Sequence, residues 1–128
     1  MGVRQNVSEA SDWYLKAAEQ GNAESQYSLG EMYYHGQGVS QDYSEAEQWY
    51  RKSAEQGNAD AQYMLGSMYY DGLGLRKDYK KAAEWYRRSA EQGNKDAQSR
   101  LGDMYYAGQG VKQNLNEAMF WYRKSQKN

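Results

Sequence analysis

Histidine is the residue type whose charge ordinarily changes near neutral pH, and this 128-residue sequence holds one, His35, and no cysteine. That inventory bounds the chemistry available. A two-histidine zinc site, thiolate metal ligation, cysteine nucleophiles and disulfides are all out of reach. No motif pairs a nucleophile with a base, so His35 is expected to be a solvated surface histidine. Gly36-Gln37-Gly38 lacks the longer glycine spacing and the following Lys-Ser/Thr of a phosphate loop and reads as a turn. Asp71-Gly72-Leu73-Gly74 lacks the alternating acids of a calcium loop. The pairs Trp13/Tyr14, Trp49/Tyr50, Trp85/Tyr86 and Trp121/Tyr122 could form an aromatic cage, but aromatics recurring at helical spacing read as core. The sequence therefore predicts no catalytic residue, no metal site, no cofactor and no enzyme.

The Trp-Tyr pairs recur at a constant step of 36 residues. Residues 5–40 and 41–76 agree at 22 of 36 positions, as do 41–76 and 77–112, and a half copy follows at 113–128. A repeat of this length marks a stack of small supersecondary units, each unable to bury its apolar face alone. In the second copy Tyr43, Ala46, Trp49, Tyr50, Ser53 and Ala54 share one helical face. They define helix A, over about Tyr43 to Gln56. Asn6, Asp42, Asp78 and Asn114 are its N-caps, with Glu9, Glu45 and Glu117 placed to complete a capping box; the third copy has Lys81 there. Gly57 stops helix A and Asn58 caps helix B, over about Ala59 to Tyr70. Gly66 falls in the middle of helix B, where glycine costs about 1 kcal/mol relative to alanine. Its recurrence as Gly30 and Gly102 predicts a Trp or Tyr ring of a neighbouring helix A pressed against bare backbone.

The repeat Ala-x-x-Trp-Tyr-x-x-x-Ala-Glu-Gln-Gly-Asn, followed by Gln-x-x-Leu-Gly-x-Met-Tyr-Tyr-x-Gly-x-Gly, resembles the Sel-one-like repeat (SLR), a relative of the tetratricopeptide repeat. The resemblance covers residues 5–128. It implies an all-α, right-handed superhelical α/α solenoid of about seven helices in one domain, and a role as an adaptor or scaffold holding protein partners on a concave surface. Some secreted bacterial members carry a disulfide in each repeat and are linked to penicillin binding; this sequence, without cysteine, departs from that branch.

The charges then suggest where a partner would sit. At 100° per residue, the side of helix A opposite Ala46 and Tyr50 carries Lys16, Arg51, Lys52, Lys80, Arg87, Arg88, Arg123 and Lys124 against Asp12, Glu19, Glu55, Glu84 and Glu91. The outer side of helix B is acidic, with Glu24, Glu31, Asp60, Asp71, Asp96 and Asp103 against Lys95 and Arg100. One reading is solvated faces laced with pairs such as Glu84 to Arg88. The sharper one places partner binding at Lys16, Arg51, Lys52, Arg87, Arg88, Arg123 and Lys124, an arginine ladder for a protein or acidic peptide. Stacked A helices lie roughly 10 Å apart, so the ladder would span about six extended residues. An inhibitor or immunity protein that occludes one toxin or enzyme is one alternative, and a β-lactam-binding or hydrolysing enzyme of the SLR type, which the missing cysteines disfavour, is the other. Met119 and Phe120 replace polar residues on the last helix and are expected to drive self-association. A formal net charge of −1 argues against nucleic acid. With no apolar run near the roughly 18 residues of a membrane span and no signal peptide at Met1 to Asn6, a cytoplasmic protein is expected unless a leader has been removed.

Overall fold

A computed structural model of the protein describes residues 12–127. The caps expected at Asn6 and Glu9 lie outside them. Among the described residues there are seven helices and no strand: α1 (residues 12–19), α2 (Ala23–His35), α3 (Tyr43–Glu55), α4 (Ala59–Asp71), α5 (Tyr79–Glu91), α6 (Lys95–Ala107) and α7 (Leu115–Gln126). Odd-numbered helices are of the A type and even-numbered ones of the B type. Consecutive helices pack in chain order to form an α/α solenoid. None is long and apolar enough to cross a membrane.

Local signals set the boundaries. The carboxylate of Asp42 accepts from the Glu45 N–H at 3.1 Å, Asn58 caps Ala61 at 2.9 Å and Asn114 caps Glu117 at 3.0 Å, each satisfying one orphan donor of its helix. The reciprocal half of the capping box is not formed. The N–H of Asp42, which the Glu45 side chain would have served, donates instead to the Tyr33 carbonyl at 2.9 Å, and the N–H groups of Asp78 and Asn114 do the same to Tyr69 and Tyr105. A backbone bond to the preceding B helix thus replaces the side-chain bond, which explains why Lys81 is tolerated where Glu45 and Glu117 stand. Between α3 and α4 only Gln56, Gly57 and Asn58 intervene. Gly57 takes φ +100°, a left-handed conformation open to glycine at little cost.

The seam between each B helix and the next A helix is the more extensive of the two kinds of contact, and the recurring glycine is built into it. A Cβ added to Gly66 would lie 2.8 Å from Cδ1 of Tyr86, and one at Gly30 2.6 Å from the same atom of Tyr50. Tyr50 and Tyr86 are buried to within 1% of completely. Tyrosine, not tryptophan, is therefore the ring pressed into the groove. Each phenol needs a polar partner at its far end. Tyr50 donates to Glu31 at 2.5 Å, Tyr86 shares a bond of 2.9 Å with Ser67, and Tyr122 donates to Asp103 at 2.5 Å. Burial first, and for Tyr50 also the Glu31 carboxylate, hold these hydroxyls protonated: Tyr50 is pushed far up, Tyr86 to about 12.

A second polar ladder ties the seams end to end. The Gln62 amide nitrogen donates to the Ala54 carbonyl at 3.1 Å while its oxygen accepts from Gln92 at 2.9 Å; Gln26 and Gln56 repeat the arrangement one unit earlier. Ser53 and Ser89 donate to the carbonyls of Ala23 and Ala59. Buried polar groups are thereby paired across repeats, with Gln98 Oε1 and Trp121 Nε1 lacking partners among the described residues.

Candidate functional site

The basic side chains of the A helices divide into three kinds. Arg51 is half-buried. It donates to the Glu47 carboxylate and to the Tyr69 hydroxyl, both at 2.6 Å, with its guanidinium 5.8 Å from the Tyr69 ring centre. Burial opposes the charge, but the bonds to Tyr69 and Glu47 outweigh it and hold the pKa above the ordinary arginine value. This side chain is a brace between α3 and α4. Arg87 is also half-buried and braces α5 to α6 through the Tyr105 hydroxyl and ring. Its position four residues back is Ala83, however, so it has no counterpart of Glu47.

Lys52, Arg88 and Lys124 are exposed and lie over aromatic rings of their own helices: Lys52 over Trp49 at 4.7 Å, Arg88 over Trp85 at 4.6 Å, Lys124 over Phe120 at 5.1 Å. Such contacts contribute of order 0.5–1 kcal/mol at exposed sites and leave the charge facing water. The Glu84 to Arg88 pair suggested by spacing does not form; among the described residues Arg51 pairs with Glu47, and His35 lies 3.7 Å from the Glu31 carboxylate, a contact that is ionic only when the imidazole is protonated. Arg123 is exposed, with no hydroxyl beside it comparable to Tyr69 or Tyr105. Lys16 lies on α1 in an open hollow with Asp12, Trp13, Leu15 and Glu19.

One depression gathers several predicted residues. A cavity of about 320 Å³ on the outer side of α5 is lined by Lys80, Ala83, Glu84, Arg87 and Arg88, with Gly110 and Val111 of the loop after α6 as its far wall. Three cations and one acid surround it. The loop can form that wall because its glycine sits directly on the backbone at the start of α5, where a Cβ would collide with Tyr79 and Lys80. Arg51 and Lys52 do not reach this cavity, nor do Arg123 and Lys124. Spacing alone missed Ala83, Gly110 and Val111 as lining residues; the available signal was the change from Glu47 to Ala83, which removes both a bulky side chain and the arginine's carboxylate.

His35 is exposed at the end of α2, 3.7 Å from Glu31, consistent with a surface histidine. Among the described residues no cluster of His, Asp and Glu could hold a metal ion. The expected self-association pair separates. Met119 stands where Glu47 and Ala83 are shielded, whereas Phe120 stands where Gln48 and Glu84 are already exposed.

Helix pairs stacked through a glycine–tyrosine seam, with a charged outer face on the A helices, define a repeat solenoid of the kind that serves generally in protein–protein interaction. The chain belongs to the Sel1 repeat family, which matches residues 1–22, 23–58, 59–94 and 95–125. These units keep the 36-residue step but pair each B helix with the A helix that follows it. The chain is similar to a protective antigen of uropathogenic Escherichia coli strains that displays an SLR fold, with 42% identity and a TM-score of 0.91 over 93% of this chain and 26% of that one. It is also similar to a Sel1 repeat protein from Oxalobacter formigenes, with 45% identity and a TM-score of 0.88 over 92% of this chain and 49% of that one. Helicobacter pylori cysteine-rich protein B shares 27% identity and a TM-score of 0.73, over 96% of this chain and 88% of that one. This chain thus spans about a quarter and a half of the first two. No curated protein matches it.

Proposed function

We propose that the protein is a non-enzymatic binding module that receives an acidic peptide segment of a protein partner on its A-helix face, centred on the α5 cavity. The observation that carries this reading is the convergence of Lys80, Arg87 and Arg88 on a recess with Ala83 and Val111 as its apolar floor and wall. Lys80 and Arg88 have no carboxylate partner among the described ion pairs. They are available to meet incoming charge and to steer its approach. Arg87 is pre-positioned by Tyr105, so little side-chain freedom is lost when it engages a carboxylate. The Arg51 brace, neutralised by Glu47, contributes less to binding than its place in the sequence ladder suggests.

The test uses a fluorescein-labelled hexapeptide rich in glutamate, titrated at low and physiological salt. Lys80→Glu with Arg88→Glu is expected to weaken binding at least tenfold and to flatten its salt response. Asp60→Lys with Asp96→Lys, on the B-helix side, should leave binding intact or strengthen it. Equal affinity of the parent and the Lys80/Arg88 variant refutes the assignment.

A further inference from the structure

The α5 recess differs from the equivalent places on its neighbours in charge as well as in shape. Lys80, Arg87 and Arg88 surround it with Glu84 as the one acid, so two positive charges remain uncompensated. At the matching positions α3 has Ser44, Glu47, Gln48, Arg51 and Lys52, and there the Glu47 carboxylate already occupies Arg51. On α7 the same positions are Asn116, Met119, Phe120, Arg123 and Lys124, two cations without a third. Glu84 does not reduce the excess by pairing. It lies four residues from both Lys80 and Arg88, yet neither bridge is among the described ion pairs. The two guanidiniums rest on different aromatic residues, Arg87 on Tyr105 of α6 and Arg88 on Trp85 of its own helix, and each keeps donors to spare.

We propose that the group seated in this recess is the phosphate of a phosphorylated side chain on the bound segment, so that phosphorylation of the partner governs its capture; the inference rests on the peptide-binding reading above. A carboxylate brings one charge and two oxygens and would leave part of the excess unmatched. A phosphate monoester brings close to two negative charges at neutral pH and three acceptor oxygens. Arginine forks meet it bidentately, with the ammonium of Lys80 as a further point charge. Buried Ala83 and half-buried Val111 give the carbon stem of the phosphorylated residue an apolar surface to lie on. What opens the site is the missing carboxylate at position 83. Ala83→Glu would supply Arg87 with the partner that Arg51 has, and the Arg51–Glu47 pair shows that the fold accommodates such an arrangement.

The probes are the glutamate-rich hexapeptide and the same peptide with phosphoserine in place of one central glutamate. The readout is the ratio of their affinities, which does not change when part of a variant is merely unfolded. In the parent the phosphopeptide should bind at least about tenfold more tightly, the return of one further charge-assisted hydrogen bond. Both Lys80→Glu with Arg88→Glu and Ala83→Glu should bring the ratio close to one. Between pH 7.5 and 5.5 the phosphate passes its second ionisation near pH 6 while glutamate stays charged, so the ratio should fall several-fold. The groups facing the recess, Lys80, Glu84, Arg87 and Arg88 of α5 and Tyr105 of α6, include no histidine to mimic that change. Saturable binding of the glutamate peptide with a ratio of one in the parent overturns the inference and leaves the acidic-peptide reading standing. Binding of neither peptide overturns both. A high ratio that survives in both variants places the phosphate elsewhere and also overturns the inference. Inorganic phosphate that displaces the phosphopeptide at concentrations near the peptide's own Kd assigns the recess to a free anion and overturns it as well.

Discussion

Replacing Gly66 with alanine tests the seam most directly, because helix propensity and packing make opposite predictions. Within a helix the change should stabilise by up to about 1 kcal/mol. The new Cβ would stand 2.8 Å and 3.0 Å from two ring carbons of Tyr86 and 3.2 Å from the Ala82 carbonyl oxygen. Carbon atoms prefer roughly 3.5–4.0 Å, so the ring must retreat by well over half an ångström. It has little room. Tyr86 is 1% exposed, its hydroxyl is bonded to Ser67 and its ring lies 5.7 Å from that of Tyr63. Overpacking of this kind costs about 1–3 kcal/mol, and a broken Ser67–Tyr86 bond adds about 1 kcal/mol. Net destabilisation of about 1–3 kcal/mol is therefore expected, read as a lower urea midpoint by circular dichroism with unchanged slope. Gly66→Ala combined with Tyr86→Leu should lose at least about 0.5 kcal/mol less than the sum of the single changes, the coupling that direct contact produces. A single variant at or above the parent midpoint, or strict additivity in the cycle, refutes the wedge.

Arg51→Ala is expected to destabilise by about 1 kcal/mol through loss of its bond to Tyr69, while Arg88→Ala stays within about 0.5 kcal/mol of the parent; thermal melts of the two separate brace from surface cation. Ser89→Ala, which removes the bond to the Ala59 carbonyl, should lower stability by about 1 kcal/mol in the same measurement. Stability should also fall at alkaline pH. Tyr86 in the folded chain is raised by burial to about 12, and Tyr27, by burial and then Glu31, also to about 12, against about 10 when unfolded. The unfolded chain thus loses these protons first. Their contribution is complete below about pH 10 and declines as pH rises toward 12. Urea midpoints measured between pH 8 and 11.5, with tyrosinate absorbance followed in parallel, check the sign, and a midpoint flat across that range contradicts it.

Much of the architecture is legible in the sequence because each local cue is used where it stands. Asp42, Asn58 and Asn114 cap as their positions suggest, Gly57 stops its helix, and the period of Ala46, Tyr50 and Ala54 marks the buried face. Less legible are features decided by a neighbour one helix away. Glu45 does not complete a capping box because Tyr33 of the preceding helix already takes the N–H it would have served. Arg51 and Arg87 look alike in the sequence, yet only Arg51 has a carboxylate four residues before it, and both turn partly inward to a tyrosine 18 residues on. A periodic sequence also carries no intrinsic phase. The frame beginning at residue 5 and the family's frame beginning at residue 23 describe one lattice, and only packing shows that the B-to-A seam is the more extensive.

That seam has a consequence for how such chains change over generations. Glu31, Ser67 and Asp103 differ in size and charge, yet each gives the wedged phenol a polar partner, so the three junctions are alike in what they demand and differ only in who supplies it. With successive units set at a constant step of 36 residues, a misaligned crossover between two copies of the coding sequence would join a B helix to a foreign A helix across a junction that already fits. Such a chain could lengthen or shorten by whole units without solving a new packing problem. Variation at positions such as Glu47 and Ala83 would then be free to reshape the outer face one unit at a time.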